Sequence, residues 1–275
     1  MMRKFIYQFE AMSTSCELFL YATQKQHADS AAQAVLKETK RLEAKYNYYD
    51  EHSYLSQINS RVIQTLDGES KTLLQRAKQY YKCTNGIFDI TVATLKTLYQ
   101  EECTVEALEK RKIELLKFTG CEHFEIKRET IRFDNPHTKI DLGGFVKEYA
   151  VDRAVYILKK EKITAALVNY GGDIYALGQK PDGTSFRVGI KDPDNRSLHV
   201  DEVTLQDQAL TTSASYERYY TVAQQQFSHI ISKGNVSSTA RSVTVISHNC
   251  VESGVYSTAL MVDPTLKSHH KSIIL

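Results

Sequence analysis

Residues 139–154 read KIDLGGFVKEYAVDRA, and residues 169–174 read NYGGDI. In the first stretch a short apolar strand, KIDL, carries Asp141 near its end, two glycines follow, and a helix bearing Lys147 and Asp152 begins almost at once. Glycines between a strand and a helix let a ligand approach bare backbone. The helix start adds unpaired N–H groups and the positive end of the dipole. With a carboxylate and a lysine beside it, the stretch reads as a pocket for a phosphorylated ligand, with room for a divalent metal. It matches neither the dinucleotide fingerprint GxGxxG nor a P-loop. A plainer reading is also open here: Gly143-Gly144 as a tight turn and Asp141 as an N-cap.

The chain of 275 residues suffices for one large domain or two intimate ones. Its 35 basic and 33 acidic residues nearly cancel, and no basic run or Arg-rich tail points to nucleic acid. Tryptophan is absent and tyrosines number 17, so Tyr and Phe must supply any ring that stacks on a ligand. Five cysteines (Cys16, Cys83, Cys103, Cys121 and Cys250) show no CxxC or Cys/His spacing, which fits a reducing compartment rather than a zinc site or a disulfide framework. The basic start MMRKFIYQFEAMST lacks an apolar run, since Gln8 and Glu10 interrupt it. No segment approaches the roughly 20 apolar residues of a membrane span. The expectation is a cytoplasmic protein without membrane insertion.

Along the chain, residues 4–22 read as a strand pair or one bent strand, with CELFLYA alternating at its end. Helices are expected at 27–46, at 68–82 (closed by Asn85-Gly86), from 87, at 104–118 with Thr104 as a cap, and at 145–160. The segment YNYYDEHSYLSQIN between the first two reads as a loop. HFEIKRETIRF is a hairpin turning at Arg128-Glu129, and AALVNYGGDIYALG gives two strand pieces. FRVGIKD, HVDEVTLQDQAL, YYTVA, FSHIIS and SVTVIS add strands, PDGTS is a hairpin turn, and VESGVYSTALMV is a helix. Without linker, repeat or low-complexity run, residues 1–275 are expected to form one α+β unit of mixed or antiparallel sheets with packed helices.

Taken in order, these landmarks resemble the ApbE family, flavin transferases that move FMN from FAD onto a protein threonine or serine. FEAMST is similar to the family's Met-Gly-Thr element, and YYDEHSYLSQIN to its Tyr-Asp-x-x-Ser-x-Leu-Ser-x-x-Asn loop. TNGIFDITV resembles Gly-Ala-Phe-Asp-Pro-Thr-Val, and IDLGGFVKEYAVD resembles Asp-Leu-Gly-Gly-Ile-Ala-Lys-Gly-Tyr-Ala-Val-Asp. VNYGGDIYALG, TTSASYERYY, SHIIS and STALMV follow in the family's order. The resemblance implies an ApbE-like, T-fold-related architecture.

It also implies roles. Met12, Tyr49, Ile87, Phe88, Asp89, Asp141, Lys147 and Ile231 match positions that hold FAD. Gly144, through its carbonyl, and Ser257 and Thr258 match the Mg²⁺ position. His229 matches the family's histidine and, with Lys147, is the catalytic candidate. Plainer roles stand beside these: core packing for Phe88, Ile231 and His229, a solvated helix face for Lys147. The implied partners are FAD and an acceptor flavoprotein carrying a Thr or Ser target. Departures are Ser13 for Gly, Ile90 for Pro, Glu148 for Gly, Ala214 for Gly, Ser232 for Asp and, at the metal position, Gly254 for Asp, with Glu252 nearby as a substitute. Three activities follow from this pattern: FMN transfer with AMP release, FAD binding without catalysis, and Mg²⁺-dependent FAD pyrophosphatase.

Overall fold

The alternation in CELFLYA buries Cys16, Leu18, Leu20 and Ala22 and builds β2 (Thr14–Ala22), which pairs antiparallel with β1 (Arg3–Ala11). The structure, a computed structural model, describes residues 1–100, 104–195, 197–214, 219–222, 225–228 and 239–275. The chain continues through α1 (Lys25–Tyr46), α2 (Tyr54–Asn59), α3 (Gly68–Cys83), a 3-10 helix (Ile90–Gln100) and α4 (Val105–Leu116). The hairpin β3 (Phe124–Lys127) and β4 (Thr130–Phe133) precedes α5 (Gly143–Lys160), β5 (Ala165–Tyr170) and β6 (Asp173–Leu177). Then come β7 (Phe186–Lys191), β8 (His199–Leu205), β9 (Gln208–Ala214), β10 (Tyr219–Val222), β11 (Gln225–Ser228), β12 (Ser242–Ser247), α6 (Cys250–Val262) and β13 (Lys271–Ile274).

A seven-stranded antiparallel sheet in the order β1-β2-β5-β6-β9-β12-β13 forms the centre. Helices α1, α5 and α6 lie side by side on one face, α1 over β1 and β2, α5 over β5 and β6, and α6 over β9 and β12. The β7–β8 hairpin covers part of the other face. Ile174 and Ala176 of β6 join Phe186, Val188, Ile190, Val203 and Leu205 in that second core. Tyr175 and Leu177 belong to the main core under the helices. Because strand side chains alternate, Asp173 shares the helix-facing side of β6 with Tyr175 and Leu177. This α+β architecture agrees with the sequence reading, and every described ladder is antiparallel.

Three local expectations need correction. KIDL belongs to no ladder. Its backbone is satisfied from elsewhere: Asn59 exchanges two hydrogen bonds with Ile140 (2.8 Å each), the Lys139 amide donates to Thr94 Oγ1 (3.0 Å), and the Asp141 amide donates to the Ile90 carbonyl (2.9 Å). A side-chain amide thus does the work of a neighbouring strand. The loop before α3 contains α2, capped by Ser53 Oγ accepting from the Ser56 amide (3.0 Å). HVDEVTLQDQAL divides into β8 and β9 at a turn where Asp207 has a φ of 49°.

Two contacts fix the helical layer. Asp152 on α5 accepts from the amides of Cys250 (2.7 Å) and Val251 (3.2 Å), closing the start of α6 with a side chain from its neighbour. On α3, Glu69 accepts from Arg41 (2.7 and 2.9 Å) and Lys45 (2.8 Å) of α1. Burial alone would raise the Glu69 carboxyl, but these hydrogen bonds and charges outweigh it and hold it at about 2 against an ordinary value of 4.5. A depressed acid pKa stabilises the fold fully above the unfolded value of 4.5, and that stabilisation is lost as pH falls toward 2. Glu69→Gln should therefore cost about 1–2 kcal/mol at neutral pH, allowing for solvent screening. Melting curves of variant and parent should converge across the acid range; a pH-independent gap would refute the ion-pair account.

Candidate active site

The start of α5 is where the site is built. Leu142 is its N-cap but forms no side-chain cap, and Gly144 leaves the helical path (φ −88°, ψ 23°), kinking the first turn. Asp141 Oδ1 accepts from the Gly143 amide (2.9 Å), and the Phe145 and Val146 amides turn to the Leu142 carbonyl (2.9 and 2.7 Å). The helix start is thus partly satisfied by its own chain. Fixed positive charge at this corner comes instead from Lys96, paired with Asp141, and Lys147, paired with Asp173 at 2.6 Å.

Asp173 is delivered to that meeting by the second double glycine. Gly171 (φ 61°) and Gly172 (φ 98°) turn the chain from β5 into β6 in a left-handed conformation that favours glycine. At Gly171 a Cβ would also lie 2.0 Å from Thr14 Oγ1. Asp173 is 1% exposed, so its carboxylate faces Lys147 within the protein interior.

Between these elements lies a cleft of about 480 Å³, lined by Ser13 and Thr14 of the β1–β2 turn, residues 87–90, Val92 and Lys96, Asp141, residues 143–145, Lys147 and Glu148, Gly171, Asp173, residues 211–214, Thr258 and Val262. The volume falls in the ordinary range for small-molecule sites. Of the residues expected to hold FAD, the cleft gathers Ile87, Phe88, Asp89, Asp141 and Lys147 from two separate segments. Phe88 is buried and packs against Phe145 at 5.8 Å, so it serves both core and cleft. Asp89 Oδ1 accepts from the Thr91 amide (2.8 Å) and hydroxyl (2.6 Å), which steadies the loop entering the 3-10 helix.

Two expected residues lie outside the lining. Met12, in a left-handed turn (φ 52°), donates its amide to Glu43. Tyr49 is exposed at the rim, its ring 5.6 Å from Lys96 Nζ. Of the residues expected at the metal, Gly144 and Thr258 line the cleft. Ser257 is fully buried behind it, bonded to Ser213 Oγ (2.8 Å) and to the Gly254 carbonyl (3.0 Å). His229, Ile231 and Ser232 lie outside the described residues. Glu252 turns away from the cleft toward Asn249 (3.3 Å) and His270 (3.5 Å).

Sequence reasoning assigned no role to Lys96, Asp173, Thr211, Thr212 or Ser213. Asp173 follows a second Gly-Gly pair, a signal in plain sight; Lys96 and the β9 hydroxyls have no local signature. Among the described residues, four acids (Asp89, Asp141, Glu148, Asp173) and two lysines (Lys96, Lys147) line the cleft. A phosphorylated ligand would add further negative charge to this set. Glu148 is 5% exposed, and its Oε2 has no hydrogen-bond partner among the described residues. Burial first, then the Asp173 charge, push its carboxyl well above the usual range. Among the described residues no three His, Cys, Asp or Glu side chains form a ready cage. Mg²⁺ commonly needs only one or two carboxylates with substrate phosphates and waters, so this donor set fits it.

The geometry therefore defines an α+β protein with a charged, glycine-lined cleft at the start of α5. The model of the ApbE family matches residues 12–270, and the chain belongs to that family. The FAD:protein FMN transferase of Vibrio cholerae is 28% identical over 229 residues, 78% of this chain and 67% of that protein. Its counterpart in Escherichia coli (strain K12) is 29% identical over 191 residues, 65% of this chain and 54% of that protein. Among solved structures, an ApbE protein from Thermotoga maritima superimposes with a TM-score of 0.87 at 28% identity, covering 99% of this chain and 94% of that one. The flavin transferase ApbE of Vibrio cholerae shares the fold, with a TM-score of 0.82 at 21% identity, covering 100% and 97%.

The buried Lys147–Asp173 pair gives a direct test of this electrostatic arrangement. Lys147→Met should cost about 3–5 kcal/mol, because it strips the cation from a buried carboxylate. Adding Asp173→Asn should recover most of that loss in denaturant unfolding. Equal stability of the single and double variants would show that the pair is not coupled.

Proposed function

We propose that this chain is an FAD:protein FMN transferase that uses Mg²⁺ and releases AMP. The observation that carries the reading is the convergence of Ile87, Phe88, Asp89, Asp141 and Lys147, drawn from separate segments, on one cleft with Gly144 and Thr258. Relatives that match the chain bear that activity in their names. Those matches span about half to two thirds of the relatives' lengths, and residues 1–275 acting as one domain is part of the proposal.

In the reaction, the acceptor hydroxyl oxygen bonds to the FMN phosphorus, the bond from that phosphorus to the AMP oxygen breaks, and the hydroxyl proton passes to a base. Such transfers depend mainly on positioning and charge stabilisation. Lys147, held by Asp173, keeps positive charge at the cleft where the diphosphate oxygens would lie. Gly143 and Gly144 offer backbone without side-chain bulk, and the Ser213 and Thr258 hydroxyls, 3.2 Å apart, add polar groups to the lining. Mg²⁺, when bound, would draw charge from the phosphoryl oxygens; Gly144, Thr258 and, from behind, Ser257 are its proposed protein neighbours. His229 is the proposed base at the acceptor hydroxyl, from its match to the family's histidine. Met12, Tyr49 and Ile231 are the remaining proposed FAD contacts.

The proposed partner is an acceptor flavoprotein with a Thr or Ser target. Cys16, Cys83 and Cys250 are free thiols, in keeping with a proposed cytoplasmic setting. No helix among the described residues is long and apolar enough to cross a membrane.

Incubation with FAD, Mg²⁺ and a peptide carrying a target threonine should add one FMN to the peptide and release AMP, both read by mass analysis. Chelation should abolish the product, and His229→Gly should slow it by about 100-fold or more, the range of general-base contributions. Free FMN with AMP and unmodified peptide would identify a pyrophosphatase. Unchanged, bound FAD across a panel of acceptors would identify a binding protein, the reading favoured by glycine at position 254.

A further inference from the structure

Two of the chain's departures from the family pattern meet in space. Glu148 stands on α5 where the family has Gly, and Gly254 stands on α6 where the family has the metal-binding Asp. A Cβ built on Gly254 would lie 2.6 Å from Glu148 Cγ, 2.9 Å from its Oε1 and 3.0 Å from its Cδ. The glutamate side chain therefore fills the space that any side chain at position 254 would enter. Glycine on one helix and an acid on the other has been exchanged for the reverse arrangement at the same helix contact.

The surroundings place that acid at the metal corner. Thr258 lies four residues after Gly254 on α6, so that pair shares one helix face, and Gly144 forms the kinked turn just before Glu148 on α5. Gly144, Glu148 and Thr258 all line the cleft. Glu148 is buried, and among the described residues its Oε2 has no hydrogen-bond partner, whereas a purely structural buried carboxylate would be expected to have its oxygens bonded. Its sequence neighbour Lys147 is directed to Asp173. Glutamate is one methylene longer than aspartate, which lets the carboxylate reach inward from the other helix.

We propose that Glu148 is the metal-binding carboxylate of this chain, supplied from α5 in place of the α6 aspartate, for a hard divalent cation such as Mg²⁺ or Mn²⁺. The inference rests on the Mg²⁺-dependent reading above and adds which residue holds the ion. It removes the need for Glu252, whose side chain turns to Asn249 and His270.

The test is Mn²⁺ binding, read from the EPR signal of the free ion, with and without FAD. The proteins are the parent chain, Glu148→Gln, Gly254→Asp, and the exchange variant Glu148→Gly with Gly254→Asp; melting curves confirm folding. Glu148→Gln, nearly isosteric, should weaken Mn²⁺ by about 100-fold, of the order seen when groups that support a metal site are removed. It should also raise the metal-free melting temperature, since it relieves a buried carboxylate. Gly254→Asp alone should lower the melting temperature through its collision with Glu148, and the exchange variant should regain both stability and Mn²⁺ affinity. Parent-like Mn²⁺ binding by Glu148→Gln, or a folded exchange variant that binds no Mn²⁺, would overturn the assignment while leaving the metal reading intact. A parent chain that takes up no Mn²⁺ in either condition would overturn both.

Discussion

The Lys147–Asp173 ion pair joins the helical layer to the sheet in the lining of the cleft. Its 2.6 Å contact links α5 to the first residue of β6, and Asp173 is almost wholly shielded from water. Coulomb attraction is strong there because little solvent screens it, while the cost of burying the charges demands that they meet. Much of the local architecture serves that meeting. Gly171-Gly172 makes the turn that starts β6 at Asp173, strand alternation aims the side chain at the helices, and Asp152 locks α5 to the start of α6.

With Lys147 engaged by Asp173 and Lys96 by Asp141, the described lining of the cleft retains more acid than base. That imbalance separates it from a simple anion site, which a helix start and two lysines would otherwise suggest. A cation and a diphosphate together would satisfy both signs of charge. That balance is what the proposed use of Mg²⁺ with a diphosphate rests on. Much of the hydrogen-bonding capacity at the start of α5 is taken up internally by Asp141 and the Leu142 carbonyl. This keeps the kinked turn in place without a side-chain N-cap.

The sheet and helices were largely legible because their signals are local. CELFLYA alternates, Thr104 caps α4 by accepting from the Ala107 amide, and the Arg128-Glu129 turn gives its hairpin. KIDL misled for a physical reason: its backbone hydrogen-bond partners are Asn59, Thr94 and Ile90, not a strand. The α2 helix was hidden because six residues held by a serine cap leave almost no periodic pattern. At the site, glycine pairs and their neighbouring acids and lysine were readable, whereas Lys96 and the β9 hydroxyls reach the cleft only through folding.

The sequence by itself determined the α+β class, the order of the motifs and the family resemblance, since these depend on residue periodicity and short-range chemistry. It also showed an acid missing at position 254 and an unexpected acid at position 148, as unrelated departures. Only the tertiary structure decided that they are one change. The packing of α5 against α6 sets the distance between those positions, and no pattern within either helix encodes it. In the space where a side chain at 254 would lie, the glutamate from α5 already stands.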